Sequence, residues 1–311
     1  MRRHGPTFLV LLLLGATAAA FVVAERVKLE KSPIRGPRVD PVFSPVCECA
    51  KRTASISFRL SRADTLGVGI VDAGGHLVRA LVSDRPYVAL HRLEWNWNGR
   101  DNNGRLVPQG IYHPRVHFAD RDRTIVLPNT IRVDTTPPTV RSMGVSPRVF
   151  SPDGDGRAEG IVVRYRVNES PARALLLVDG IRRVRGKLRV KQQAQLQWYG
   201  RAGGRSFPAG TYTLMLVAED EAGNISRPAP AGTVRIRYIE LSPSLLRTRV
   251  RSRFRVKVDT DAASYAWRFA GRTGLASGKT LALTARKRGR YPLTVEESGH
   301  RARTVVVVTR P

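Results

Sequence analysis

Trp97-Asn98-Gly99-Arg100, the polar turn Asp101-Asn102-Asn103-Gly104, and Pro108-Gln109-Gly110-Ile111-Tyr112 follow one another in a single stretch. A copy stands about a hundred residues on: Trp198-Tyr199-Gly200-Arg201, a Gly-rich turn, then Pro208-Ala209-Gly210-Thr211-Tyr212. Phe-Ser-Pro precedes both, at 43–45 and 150–152. Three blocks recurring in one order mean one domain written twice. Each tryptophan ends an alternating stretch, the Asp-Asn-Asn-Gly turn supplies residues that tolerate positive φ, and the Pro-x-Gly-x-Tyr corner opens another strand, Tyr112 to Phe118. Such punctuation predicts small antiparallel sandwiches. In them, Trp97 and Trp198 superpose, as do Tyr112 and Tyr212, and all four are largely buried.

The motifs also carry a resemblance. WNWNGRDNNGRLVPQGIY (95–112) resembles the immunoglobulin-like domain of the flagellar hook-capping (FlgD-like) type, which recurs in many bacterial exported proteins. FSPDGDGRAE (150–159) is similar to the opening of that group, and DTTPPTV (134–140) and AEDEAGN (218–224) are similar to junctions and closing strands of tandem immunoglobulin-like arrays. The resemblance covers roughly 43–238. It implies the sandwich fold and says little of function. Residues 239–311 repeat only the Gly289-Arg290-Tyr291 corner. There, SYAWRFAG (264–271) and GRYPLTV (289–295) faintly resemble the bacterial PKD type of immunoglobulin-like domain.

The expected fold class is therefore all-β: an N-terminal hydrophobic helix followed by three tandem immunoglobulin-like β-sandwich domains. The uncharged run from Phe8 to Ala24 behind Arg2-Arg3 would span roughly 25 Å as a helix. Residues 1–24 thus read as a signal anchor, or as a signal peptide with small residues at Ala18-Ala19-Ala20 and Val22-Val23-Ala24. Residues 25–42 read as a tether, followed by domains at 43–134, 135–238 and 239–311. Both readings place the sandwiches outside the cytoplasm, either on a single-pass membrane protein or on a secreted one. Arg26, Lys28 and Lys31 beyond the helix weaken the charge argument for that orientation.

The formal net charge is +28, and it rises along the chain. Residues 135–238 carry 17 Lys and Arg against 8 Asp and Glu; residues 239–311 carry 16 against 5. Arg247, Arg249, Arg251, Arg253, Arg255 and Lys257 alternate with Thr248, Val250, Ser252, Phe254, Val256 and Val258. On one strand they would form a single cationic face with roughly 6.6 Å between neighbours. A second alternation runs through Arg183, Arg185, Lys187, Arg189 and Lys191, with Val184, Leu188 and Val190 opposite. These stripes suit a polyanion: a wall teichoic acid, anionic lipid headgroups or extracellular nucleic acid. They equally suit solvated strand faces that resist edge pairing, in a chain whose basic residues are mostly Arg. No interleaved aromatics offer stacking platforms, which argues against sequence-specific nucleic-acid recognition.

Asp153, Asp155 and Glu159, on a loop bent by Gly154 and Gly156, form a candidate calcium site; the alternative is a turn that starts the next strand. Aligned on Phe-Ser-Pro, the first repeat has Val46-Cys47-Glu48-Cys49 in place of Asp153-Gly154-Asp155-Gly156, and Arg52 in place of Glu159. No calcium loop is expected there. Cys47 and Cys49 are read as a local disulfide or free pair, as an intermolecular bridge, or as thiolate metal ligands. Catalytic signals are missing: GLASGKT (274–280) lacks the first glycine of a phosphate loop, and no Gly-x-Ser-x-Gly elbow occurs. His113 and His117 fall on one strand face about 13 Å apart, too far to share a metal ion. The expectation is a non-catalytic, membrane-anchored binding or scaffolding protein of the bacterial cell envelope, with anionic polymers or other envelope proteins as partners. The alternatives are a flagellar or surface-appendage assembly factor and an accessory module of an envelope hydrolase.

Overall fold

The computed structural model describes residues 12–17 and 32–310. Residues 12–17 are helical; the rest of the run from Phe8 to Ala24, with its expected anchor or signal, lies outside the described residues. Among the described residues no helix is long and apolar enough to cross a membrane. The chain divides into two compact units, Met1–Thr135 and Thr136–Pro311.

The first unit is one sandwich. It opens with β1 (Ile34–Val39), β2 (Val42–Phe43), β3 (Ala54–Leu60) and β4 (Asp64–Asp72), and continues through β5 (Leu77–Tyr87) and β6 (Arg92–Trp97). β7 (Gly110–Phe118), β8 (Arg123–Val126) and β9 (Ile131–Val133) complete it. One sheet has the order β1-β3-β6 and the other β2-β9-β7-β4-β5, with β8 on β7. Part of the stretch expected as a tether is thus a strand, because β1 pairs along β3 from Ile34 to Val39.

The second unit holds two sandwiches. The first of them runs through β10 (Val140–Ser146), β11 (Val149–Phe150), β12 (Ile161–Val167), β13 (Ala172–Val178), β14 (Ile181–Arg185) and β15 (Gln193–Trp198). The small hairpin β16 (Arg201–Ala202) and β17 (Arg205–Ser206) follows, then β18 (Gly210–Asp220) and β19 (Ala229–Ile236). Its sheets are β10-β12-β15 and β11-β19-β18-β13-β14. The last sandwich comprises β20 (Glu240–Ser242), β21 (Leu245–Arg249), β22 (Arg253–Asp259), β23 (Tyr265–Phe269), β24 (Arg272–Ala276), β25 (Thr280–Thr284), β26 (Gly289–Glu297) and β27 (His300–Thr309). Its sheets are β20-β22-β25 and β21-β27-β26-β23-β24. The strand order is therefore the same in all three, including a short parallel pairing of the second strand with the last: β2 with β9, β11 with β19, β21 with β27. These are immunoglobulin-like sandwiches in tandem. Residues 239–311, related to the repeats only loosely in sequence, share their topology in full.

Alternation drives each sheet onto its partner. In β12, Ile161, Val163, Tyr165 and Val167 are buried while Arg164 is exposed. In the first sandwich Trp97 is 1% exposed and sits edge-on to Phe43 and Tyr112, with ring centroids 5.4 and 5.1 Å away. Trp198 repeats this with Phe150 at 5.6 Å and Tyr212 at 6.2 Å. The tyrosine hydroxyls donate to the carbonyls of Pro108 and Pro208, at 2.7 and 2.8 Å. In the last sandwich Tyr291 donates to Arg288 O at 3.0 Å, and its ring packs on Phe269, while Trp267 packs only at the margin of the core. Trp97, Tyr112 and Trp198 are buried as expected; Tyr212 is only half-buried.

The two recurring motifs touch. Gly200 has φ +57°, and a Cβ there would fall 2.8 Å from Phe150 and Pro152; Gly99 at φ +71° would meet Pro45 at 2.9 Å. Gly203 shares the φ of +57° but faces open space. Gly200→Ala is expected to destabilise the chain by about 2–4 kcal/mol, adding overpacking to left-handed strain, whereas Gly203→Ala costs about 1–2 kcal/mol from strain alone. Urea unfolding of the two variants checks the gap, and equal losses would remove the packing term.

Candidate functional site

The loop joining β11 to β12 is clamped at both ends. β11 lies parallel to β19, Ser151 N donates to Ala158 O at 2.9 Å, and the hairpin β16–β17 holds Pro152 O through Ser206 Oγ at 2.8 Å. Gly154 and Gly156, at φ +92° and +84°, bend the segment so that its carboxylates converge. Ser151 Oγ donates to Asp153 Oδ2 at 2.8 Å, Gly156 N to Glu159 Oε1 at 2.9 Å, and Arg157 N to Asp155 Oδ1 at 2.7 Å. One oxygen each from Asp153, Asp155 and Glu159 lies within 4.8 Å of the others. The structure therefore brings together the three residues proposed from sequence. Arg201 stands at the rim, 4.0 Å from Glu159 Oε2.

Two further carboxylates reach this loop from the last sandwich, and no local sequence signal marks them. Glu297 ends β26 and is 8% exposed; Ser298 Oγ donates to its Oε1, while its Oε2 is buried without a hydrogen-bond partner. Asp261 follows β22, and both of its carboxylate oxygens are buried without a partner from another residue. Burial pushes the Glu297 carboxyl above the usual carboxylate range, and the charges of Asp153 and Asp155 push it further against the lowering effect of Ser298. Burial also raises Asp261, opposed by its own backbone N–H and, more weakly, by the Arg237 guanidinium, and reinforced by the charges of Asp153 and Asp155. The joint around them is packed. Tyr238 and His300 stack with centroids 3.5 Å apart, Arg237 pairs with Asp259 at 2.8 Å, and Arg157 Nη1 donates to Asp261 O at 3.4 Å.

The equivalent loop in the first sandwich closes by different chemistry. Ser44 N donates to Lys51 O at 3.0 Å, in the register of Ser151 and Ala158, and Cys47 and Cys49 form a disulfide across it. Oxidised sulfurs offer no thiolates, so the alternatives of a free pair, an intermolecular bridge and a metal site give way to the local disulfide.

Neither cationic stripe survives as one strand face. Arg247 and Arg249 lie on β21 in the five-stranded sheet, and Arg253, Arg255 and Lys257 on β22 in the three-stranded one. The chain crosses between them at 250–252, where Arg251 has φ +64° and donates its N–H to Ala285 O at 2.7 Å. A period-two pattern ran through a turn. The second stripe ends with β14 at Arg185. Arg185 binds Glu219 at 2.9 Å, Arg183 lies over the Phe207 ring at 5.0 Å, and Lys187, Arg189 and Lys191 fall beyond the strand. Leu188 and Val190, expected on the core side, are exposed.

Other expectations resolve simply. His113 Nδ1 contacts Leu127 O at 3.2 Å and His117 Nδ1 contacts Thr124 Oγ1 at 3.0 Å, each within the fold of its own strand pair. GLASGKT spans the end of β24 and the start of β25, a strand where a phosphate loop would need a helix.

No family model matches the chain, and no curated relative does. Among solved structures it is similar to the I-band fragment I67–I69 from titin, with TM-score 0.29 and 11% identity over 90% of this chain and all of that one. The FN1–FN3 domains of chicken CNTN1 follow at 0.23 and 11%, over 90% of this chain and 99% of that one. A Dscam structure stands at 0.21 and 10%, over 91% and 74%. These neighbours are tandem immunoglobulin-type and fibronectin-type sandwiches; the strand order above carries the fold by itself.

The disulfide is directly countable. Intact mass after maleimide treatment of the denatured chain is expected to show no adduct before reduction and two after it; two adducts without reductant would return the pair to free thiols.

Proposed function

We propose that this chain is a non-catalytic, exported array of three immunoglobulin-like sandwiches that holds anionic polymer at the bacterial cell envelope, with its last sandwich as the binding face. The observation that carries this reading is a row on β22. Arg253, Arg255 and Lys257 point outward from the central strand of a three-stranded sheet, flanked by Ser242 on β20 and by Thr284, Ala282 and Thr280 on β25. The five acidic residues of this sandwich are engaged elsewhere. Glu240 pairs with Arg235, Asp259 with Arg237 and Glu296 with Arg301, while Asp261 and Glu297 face the acidic loop. Three cations about 6.6 Å apart with small neighbours can meet successive phosphates of a flexible chain, gaining from counterion release and from bidentate guanidinium contacts.

The motif resemblance to hook-capping-type domains of exported proteins, and a disulfide suited to an oxidising compartment, support the extracytoplasmic setting. The hydrophobic run near the N-terminus supplies the export signal and, if retained, a membrane anchor.

The test is retention on immobilised teichoic acid as a function of salt. Changing Arg253, Arg255 and Lys257 together to Ser is expected to lower the salt needed for elution and to reduce the log–log salt slope by roughly 2. A control changing the exposed Arg62, Arg92 and Arg105 to Ser should leave the slope within about half a unit of the parent. Equal shifts for both triple variants would reduce the β22 row to a solvated face.

A further inference from the structure

We propose that Asp153, Asp155 and Glu159 of the second sandwich, together with Glu297 and Asp261 of the third, form one site for a hard divalent cation of the calcium class, placed so that the cation fastens the two sandwiches to each other. The loop 151–160 alone offers one oxygen from each of three carboxylates within 4.8 Å, which exposed acidic loops can match by chance. The independent observation comes from the other sandwich. Glu297 is 8% exposed and its Oε2 is buried without a partner, within the field of Asp153 and Asp155. Asp261 adds two buried oxygens, with no partner from another residue, within the field of Asp153 and Asp155. A buried carboxylate without a partner is costly, and like charges at close range add to that cost.

The neighbouring cations do not remove the need for a ligand. Arg201 lies 4.0 Å from Glu159 Oε2 and donates to Pro152 O at 3.4 Å; Arg157 binds the backbone carbonyl of Asp261 and not its carboxylate; and Arg237, whose charge also acts on Asp261, is paired with Asp259. Oxygen donors in an irregular set drawn from two domains suit calcium, which accepts six to eight ligands in flexible geometry, better than magnesium, which demands a near-ideal octahedron. The remaining positions would fall to backbone carbonyls and water. Since the ligands come from both sandwiches, cation binding and the stacking of Tyr238 on His300 at the same joint reinforce each other.

Calcium titration of the full chain by calorimetry, paired with thermal melts, tests this. The parent is expected to bind calcium and to melt higher when saturated with it. Asp153→Asn and Glu297→Gln are each expected to weaken calcium at least tenfold and to abolish most of that shift. In the calcium-free state Glu297→Gln should melt at or above the parent, because it removes one charge from a repelling cluster; this separates loss of a ligand from loss of fold. Asp261→Asn provides a second variant on the same side. The joint site is overturned if the parent binds no calcium at millimolar concentration. It is also overturned if Asp153→Asn abolishes binding while Glu297→Gln and Asp261→Asn stay within twofold of the parent, which would confine the ion to the loop.

Discussion

The turn that follows each core tryptophan reaches the Phe-Ser-Pro segment because a glycine stands at its apex. With φ +57° and Phe150 and Pro152 already within 2.8 Å of where a Cβ would lie, Gly200 is the point at which the end of one sheet meets the second strand of the other. Gly99 plays the same part against Pro45. Much else depends on this contact. It seats the phenylalanine against the tryptophan, and it fixes Ser44 and Ser151, 0% and 1% exposed, as the start of the loop that follows. A loop launched from a buried, hydrogen-bonded serine has a defined direction, and its side chains can be used for chemistry.

The two repeats use that loop differently. In the first sandwich a disulfide closes it, a covalent staple that needs no ligand. In the second, carboxylates converge, leaving a charge problem that a cation would solve. The last sandwich supplies the facing carboxylates from the end of the β26–β27 hairpin and from the segment after β22, both at the end of the domain that meets the acidic loop. The same sandwich has its remaining acidic residues tied up in ion pairs, so β22 presents its cations uncompensated. Acid gathered at the joint and base left on the sheet are two sides of one distribution of charge.

The fold was legible where residues carry their own geometry. Tryptophan before a turn glycine, and Pro-x-Gly-x-Tyr with a hydroxyl able to reach a carbonyl, read directly as a sandwich with a tyrosine corner. The last sandwich was harder, since Phe254 and Phe269 fill its core, and Trp267 lies mid-strand at the margin of that core instead of ending a strand before a turn glycine. The Arg247–Lys257 stripe misled because alternation carries no information about chain direction: Thr248-Arg249-Val250-Arg251-Ser252 keeps the period while the backbone turns from one sheet to the other. In the second stripe Gly186 ends the strand, and Arg183 trades exposure for the face of Phe207. Asp153, Asp155 and Glu159 were readable because they lie within seven residues of one another. Glu297 and Asp261 were not, because only the stacking of two domains brings them to that loop.

The most direct measurement is a crystal structure of the chain grown in calcium, read at the joint between the second and third sandwiches. The account predicts one ion with oxygens of Asp153 and Glu297 both about 2.3–2.6 Å away, completed by others of the five carboxylates and by backbone or water. An ion held by residues 153–159 alone, with Glu297 outside its coordination sphere, or no ion at saturating calcium, would contradict it.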